Sequence, residues 1–465
     1  MKIVSKIEVV AILDVGKTNK KLFLFDKQYQ IVYQQKLTFA QKIDEDGYEC
    51  EDLSAIEEFL FKTLRELIDS GKYDIRAINF STYGASLVHI GVDGRPVVDM
   101  FNYLKPYPDG LLEKMFSNEK EQTQFELETC CPIQGNLNSG LQLFRICHQR
   151  KEIFSKTITT LHFPQYFSFL LTGKKYSDIT SIGCHTSLWN FRKNNYHDWL
   201  TPLGISKKLA PVVANDTVEK VKFDDAYLLV GIGIHDSSAA LVPYLKSIKD
   251  PFLLVSTGTW SITLNPFNNS PLTQEELKTG SLCYMNYLGK PVKASRVFLG
   301  SIYEKELNRI LSYFHTDKEH IHSLDLDFAL FSTIKPWDLN YKSKDDFLLE
   351  KFPYSSVELS QFSDYKHAYF QLIFELVNVQ VNSVKSADPD NEIKQIFIDG
   401  GFGHNVVFMK AMAYLLKDKK VFAAEVPQST SIGAALVIHN HWNDLSIEEG
   451  MVKLEEYSSV YNSIV

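Results

Sequence analysis

Two short stretches, far apart in the chain, carry residue types that can hold a phosphate. Asp14-Val15-Gly16-Lys17-Thr18 and Ser256-Thr257-Gly258-Thr259-Trp260 each lie between two apolar runs and read as strand, Gly-Thr turn, strand. Backbone N–H groups and a hydroxyl at such a tip can cradle a phosphate oxygen. One tip in each half of the chain suggests a duplicated fold that meets a nucleotide from both halves. Only the first tip carries a carboxylate, Asp14, which can reach magnesium directly or through water. Neither is a P-loop, because no GxxxxGK[ST] precedes a helix.

A third constellation is His235-Asp236, after the apolar strand Tyr227 to Gly231 and before a helix that opens with Ser237. The positive end of a helix dipole keeps a carboxylate ionised. An ionised Asp can take the proton of an attacking hydroxyl, as phosphoryl transfer requires. The same residue also fits a simple N-cap, and His235 alone reads as a packed histidine. The fourth is Asp399-Gly400-Gly401-Phe402-Gly403-His404-Asn405, after a buried strand. Its glycines would let a flat base or a sugar approach the backbone, and Asn405 offers a donor and an acceptor. A tight strand–helix turn explains it equally well. His320 with His322, and His439 with His441, stand two apart and share no helix face, so they are not read as metal ligands.

The elements that position these residues alternate. Val9 to Leu13, Lys21 to Phe25 and Gln30 to Phe39 read as strands. A helix follows, capped by Ser54 with Glu57 and closed by Gly71. Strand Arg76 to Phe80 runs into Ser81-Thr82-Tyr83-Gly84. Phe101 to Pro108 reads as a loop over a site, and Trp260 as core. A long helix is expected from Phe362 to Ser386, and Ser343 to Glu350 as a solvated surface segment. The pattern predicts α/β layers in two domains, 1–246 and 247–465.

Bulk properties narrow the partners. The chain has 465 residues, 45% apolar and 13% aromatic, with a net charge of −8. That length favours two domains, and the acidic balance argues against nucleic acid. No apolar run reaches membrane-spanning length. The N-terminus lacks a signal-peptide pattern, and six cysteines without a CxxC pair suit reduced thiols. A cytoplasmic protein with no membrane partner is expected.

In this order and spacing, the four motifs resemble the FGGY family of carbohydrate kinases over nearly the whole chain, Val9 to about Val437. The resemblance implies two actin-like, ribonuclease H-like ATPase domains with a cleft between them, an N-terminal domain 1–246 for the sugar and first phosphate loop, and a C-terminal domain 247–465 for the second phosphate loop and adenosine. It implies ATP and Mg2+ as cofactors and a small-molecule sugar as partner, in a monomer or a homodimer. By motif, Asp236 resembles the general base. Gly16, Lys17, Thr18, Lys21, Gly258 and Thr259 fall at the ATP phosphates, and Gly400, Gly401, Phe402 and Asn405 at adenosine. Thr82, Tyr83, Gly84, His235 and Asp236 fall at the substrate. Asp14, with Asp236, falls at the metal.

The loop Ile78 to Ser86, the stretch Asn138 to Leu143 and His235-Asp236-Ser237 are similar to L-rhamnulose kinases, which implies a 6-deoxy-ketose, L-rhamnulose or L-fuculose, phosphorylated at its 1-hydroxyl. Lys17 stands where the family usually has a small residue, Ser81 and Ser86 where rhamnulose kinases tend to carry acids, and Tyr83 where they have Trp. The alternatives are a pentulose, a polyol or another sugar and, in another class, a non-catalytic nucleotide- and sugar-binding sensor.

Overall fold

The first apolar run forms strand Ile7–Val15, buried from Val9 onward. A strand covered on both faces needs such an unbroken apolar run. The computed structural model describes residues 6–335, 352–447 and 450–457; the segment Ser343 to Glu350 lies outside them. The chain divides into two compact units. The first reaches Lys246 and also takes in Cys283–Pro291 and a stretch beginning at Pro427; the second includes Ser247–Leu282 and Val292–Val426. The first break falls after Lys246, and two later segments return to the first unit.

In the first unit the sheet runs Val218–Phe223, Ala226–Gly231, Tyr73–Thr82, Ile7–Val15, Lys20–Phe25, Ile31–Leu37. Ile7–Val15 pairs antiparallel with Lys20–Phe25 through a turn closed by Gly16 N–H donating to Asn19 O at 2.9 Å, and parallel with Tyr73–Thr82. Helix Leu53–Asp69 packs its apolar stripe of Ile56, Phe59, Leu60, Leu64 and Leu67 into the core beside the sheet. Its cap is Asp52, which accepts from Ala55 N–H at 3.3 Å. Ser54 does not cap it, because buried Leu53 already belongs to the first turn. Helix Ser429–Val437 packs against Ile7–Val15 and Tyr73–Thr82. Gly433 also lets it lie close against helix Asp236–Ser247: a Cβ there would lie 1.8 Å from Ala239 O. Buried Asn79 secures it, with Nδ2 donating to Ala434 O at 2.8 Å.

The second unit repeats the order. Its sheet includes Pro291–Val297, Ser261–Asn265, Leu253–Thr257, Gln395–Gly400, Lys420–Glu425 and Lys453–Glu456, side by side in that sequence. Leu253–Thr257 again pairs antiparallel with the next strand and parallel with a later one. Even the register repeats: Asp14 faces Ser81 and Val15 faces Thr82, as Ser256 faces Asp399 and Thr257 faces Gly400. Helix Tyr365–Ala387 is buried along most of its length against Leu299–Phe314 and Val406–Leu415. It begins three residues after the expected Phe362, capped by Asp364. The fold is α/β and duplicated. Among the described residues no helix is long and apolar enough to cross a membrane.

A charged cluster braces the Phe101 to Pro108 loop. Lys105 Nζ lies 2.6 Å from Asp44 and 2.5 Å from Asp46, and Arg145 donates to Asp46 at 2.7 Å. Arg145 and Lys105 are buried. Burial raises the Asp46 pKa, but the bonds from Lys105 and Arg145 outweigh it and hold the carboxyl at about 2. A lowered folded pKa stabilises above the ordinary carboxylate value and loses that contribution as pH falls through about 2. Asp46→Asn leaves Lys105 its bond to Asp44 but removes the carboxylate beside buried Arg145. We expect a loss on the order of 3 kcal/mol at pH 7, shrinking as pH falls below about 4, where the unfolded carboxyl protonates while the folded one stays ionised down to about 2. Urea unfolding of both proteins at the two pH values checks it.

Candidate active site

Three elements of the first unit converge on Asp14. Its strand ends at the Gly16 turn, and the carboxylate is buried. Oδ2 accepts hydroxyls from Thr430 at 2.7 Å and Ser431 at 2.8 Å, at the start of the returning helix. Burial raises its pKa, the two hydroxyls and Lys21 oppose that, and the charge of Asp236 adds to it. Lys21 is held by a bond to Gln428 Oε1 at 2.9 Å. Gln428, Thr430 and Ser431 were missed in the sequence. The available signal was a run of hydroxyl residues at a helix start followed by Gly433-Ala434-Ala435.

Asp236 opens helix Asp236–Ser247, with Oδ1 accepting from Ser237 N–H at 2.6 Å. Its side chain is 30% exposed. Burial pushes its pKa up to about 6, against the bond from Ser237. His235 precedes it, paired with Thr82 in the sheet. Its Nε2 lies 3.2 Å from Asp236 Oδ1. Burial holds the imidazole down to about 4, so the ring is neutral at pH 7. Gly84 is dictated by this ring: a Cβ there would stand 2.9 Å from His235 Nε2. Thr82 is buried and donates to Tyr83 O at 3.0 Å. Tyr83 turns its hydroxyl to Glu51, 3.0 Å away.

Glu51, also missed, sits under this loop. It is buried with Lys20 at 2.8 Å. Lys17 Nζ lies over the rings of Tyr83 and Tyr103, 5.6 and 5.4 Å from their centres, and 4.0 Å from Glu51. Thr18 is exposed at the turn. Tyr103, from the Phe101 to Pro108 loop, has its phenol pKa raised by burial and then by the charges of Asp236 and Glu51. The first unit thus gathers Asp14, Lys21, Asp236, His235, Thr82, Tyr83 and Gly84.

In the second unit, Gly258, Thr259, Gly300, Tyr303, Gly401 and Asn405 are among the residues lining a cavity of about 650 Å³. The Gly258 turn closes with its N–H donating to Trp260 O at 2.8 Å. Trp260 is not core: it is 36% exposed, against Phe298. Gly300, missed in the sequence, lies at the start of helix Leu299–Phe314, and a Cβ there would lie 2.0 Å from Gly258 O. Ser301 N–H donates to Thr259 O at 3.3 Å. The other wall is the glycine turn. Gly400 has φ +88° and its missing Cβ would fall 2.0 Å from Thr257 O. Thr257 Oγ1 donates to Asp399 O at 2.6 Å and accepts Phe402 N–H at 3.1 Å. The Phe402 ring packs against Tyr303 and Phe408, and Phe402 is among the residues lining the cavity. Asn405 Oδ1 caps helix Val406–Leu415 by accepting from Phe408 N–H at 3.0 Å, and Nδ2 donates to Tyr369 at 2.9 Å. Both ends of that amide are engaged within the protein.

These donors suit magnesium held largely by nucleotide and water. Among the described residues no group of three or more His, Cys, Asp or Glu could form a metal cage. Asp14 is a single carboxylate, one oxygen of which already takes two hydroxyls, with Asp236 near enough to raise its pKa. One or two carboxylates plus phosphate oxygens is how Mg2+ is usually held.

Comparison with known proteins bears on the same residues. Residues 9–237 match the model of the FGGY family of carbohydrate kinases, N-terminal domain. A rhamnulokinase of Halalkalibacterium halodurans is 26% identical over 261 residues, 54% of each chain; the chain spans about half the length of the curated relatives it matches. Among solved structures, a carbohydrate kinase from Novosphingobium aromaticivorans has a TM-score of 0.76 at 20% identity, covering 96% of this chain and 95% of that one. A xylulose kinase from Rhodospirillum rubrum has 0.78 at 16%, covering 98% and 96%. At such identities the structures establish a shared fold.

Proposed function

We propose, for a chain that belongs to the FGGY family of carbohydrate kinases, that it transfers the γ-phosphate of ATP to a hydroxyl of a ketose, with Asp236 as general base. The observation that carries this is the Asp236 carboxyl. It stands at a helix N-terminus, partly open to solvent, with its pKa pushed up to about 6. A base is most useful when its pKa lies just below working pH. His235 stands beside it, with Nε2 3.2 Å from Oδ1, and Thr82, Tyr83 and Gly84 would supply the neighbouring wall for the sugar. Asp14 would hold Mg2+, with Gly16, Thr18 and Lys21 toward the phosphates; bound magnesium would neutralise charge on the transferring group. Gly258 and Thr259 would take phosphate, and Gly400, Gly401, Phe402 and Asn405 would border adenosine, chiefly through backbone.

The preferred acceptor in this reading is a 6-deoxy-ketose such as L-rhamnulose or L-fuculose, phosphorylated at its 1-hydroxyl. Similarity to a rhamnulokinase supports it. A pentulose is the second reading, favoured by the likeness to a xylulose kinase. The test is ADP release with Mg-ATP across L-rhamnulose, L-fuculose, the ribuloses and xyluloses, glycerol and matched aldoses. One strongly preferred 6-deoxy-ketose supports the proposal. A preferred pentulose or glycerol replaces the acceptor, and a flat response with ATP still bound favours a non-catalytic sensor.

The acid side of the pH profile follows from Asp236. Protonation removes the base, so kcat/KM should fall about tenfold per pH unit below about 6. Rates from pH 4.5 to 8 on the preferred ketose check this; an acid limb near 4 would contradict the raised pKa.

A further inference from the structure

Lys17 follows the Gly16 turn, and from sequence it is expected at the ATP phosphates. The ammonium sits over the faces of Tyr83 and Tyr103. Tyr83 belongs to the loop that carries Thr82 and Gly84, and Gly84 abuts His235. Tyr103 feels the charge of Asp236. Tyr103 is thus within electrostatic reach of the base and in contact with Lys17.

It is also under-satisfied. Among the described residues the Lys17 ammonium makes no hydrogen bond; the nearest carboxylate oxygen, on Glu51, is 4.0 Å away. That carboxylate is already engaged by Lys20 at 2.8 Å and by the Tyr83 hydroxyl at 3.0 Å. Lys17, Lys20 and Glu51 together carry one positive charge in excess. The Lys17 side chain is only 27% exposed, and burial lowers its pKa before Glu51 raises it. A half-buried ammonium with three donors and no acceptor is costly unless a partner arrives. Two aromatic faces hold it in place without using those donors.

We infer that Lys17 is an acceptor-specificity residue: its ammonium, held between Tyr83 and Tyr103, donates to an oxygen of the sugar bound beside Asp236. This rests on the kinase reading above and adds a contact on the acceptor to it. The Tyr103 ring packs against Tyr83 and under the ammonium, which would tie sugar preference to the Phe101 to Pro108 loop.

The experiment is steady-state kinetics of Lys17→Met and Lys17→Gln, with Lys17→Arg as the charge-conserving variant, backed by calorimetric titration of the ketose and thermal melts. Methionine keeps an unbranched stem between the rings and removes the donors. We expect the KM and Kd for the ketose to rise about tenfold or more in the Met and Gln variants. KM for MgATP should stay within about twofold of wild type, and Arg should recover part of the loss. A rise in the MgATP KM with the ketose KM unchanged would return Lys17 to the phosphates and overturn the inference. Unchanged constants for both substrates would overturn it too, leaving the ammonium as packing for the rings. Failure of the wild-type protein to phosphorylate any acceptor would strike the kinase reading itself, which separates the two.

Discussion

Replacing Asp236 by Asn is expected to cut kcat by about 10²–10⁴-fold while the Kd for the ketose changes less than about threefold. Asn matches Asp in shape. Its amide oxygen can still accept the Ser237 N–H that Asp236 accepts at 2.6 Å, and it can still face His235 Nε2. What it cannot do is take a proton. The loss should therefore fall on turnover and spare binding, the pattern of an interaction made only in the transition state. The acid limb near pH 6 should vanish with it, because the group that titrates there at about 6 is gone. Calorimetry for the Kd and a pH–rate series for turnover read both parts. Turnover within tenfold of wild type would remove Asp236 as the base.

The second large effect lies in the other unit. Gly300→Ala would place a methyl 2.0 Å from Gly258 O, 3.0 Å from Gly258 C and 3.3 Å from Thr259 Cα. All three are backbone atoms, so no side chain can swing aside. The helix end is fixed by the buried residues Leu299, Ile302 and Tyr303, so the Gly258 turn must yield by about an ångström to restore ordinary contact. It cannot do so and keep both the Gly258 N–H bond to Trp260 O and the Ser301 N–H bond to Thr259 O. We expect KM for MgATP to rise about tenfold or more, as for a misplaced group in a preorganised site, with the ketose Kd unaltered. A melt should show a loss of about 1–3 kcal/mol from overpacking. An unchanged MgATP KM would mean the Gly258 turn does not meet the nucleotide.

The fold was largely legible because its two hairpins announce themselves. Asp14-Val15-Gly16 and Ser256-Thr257-Gly258 stand between buried runs with few polar residues, and period and turn residue alone give strand, turn, strand. The repeated register confirms the duplication at the level of single residue pairs. Boundaries slipped where a polar side chain competed for the cap: Asp52 took the role expected of Ser54, since the apolar stripe starts with Leu53. Trp260 was read as core from its aromatic character, but it sits at a hairpin tip where the sheet has ended.

The candidate site was legible only where a single segment carries it. Asp14, Asp236 and the glycine turns sit in contiguous motifs, and so could be read. Thr430, Ser431 and Gln428 reach Asp14 and Lys21 from more than 400 positions away, and no local pattern joins them. Glu51 and Lys20 look like ordinary surface charges until folding buries both. Gly300 is invisible for another reason: what it does is leave room, and absence of a side chain has no local signature inside a helix. Asn405 shows the reverse. Its chemistry suggested base recognition, while the structure uses both ends of the amide on a helix cap and a tyrosine.

The return of the chain after Val426 has a practical consequence. A single cut after Lys246 would not liberate a self-sufficient half. The fragment would lack the helix Ser429–Val437, leaving the Asp14 carboxylate without Thr430 and Ser431, Lys21 without Gln428, and Asn79 without its Ala434 carbonyl. Chimaeras with related chains meet the same obstacle. A graft of the first 246 residues must carry helix Ser429–Val437 with it, or it will assemble Asp14 against a stranger's hydroxyls.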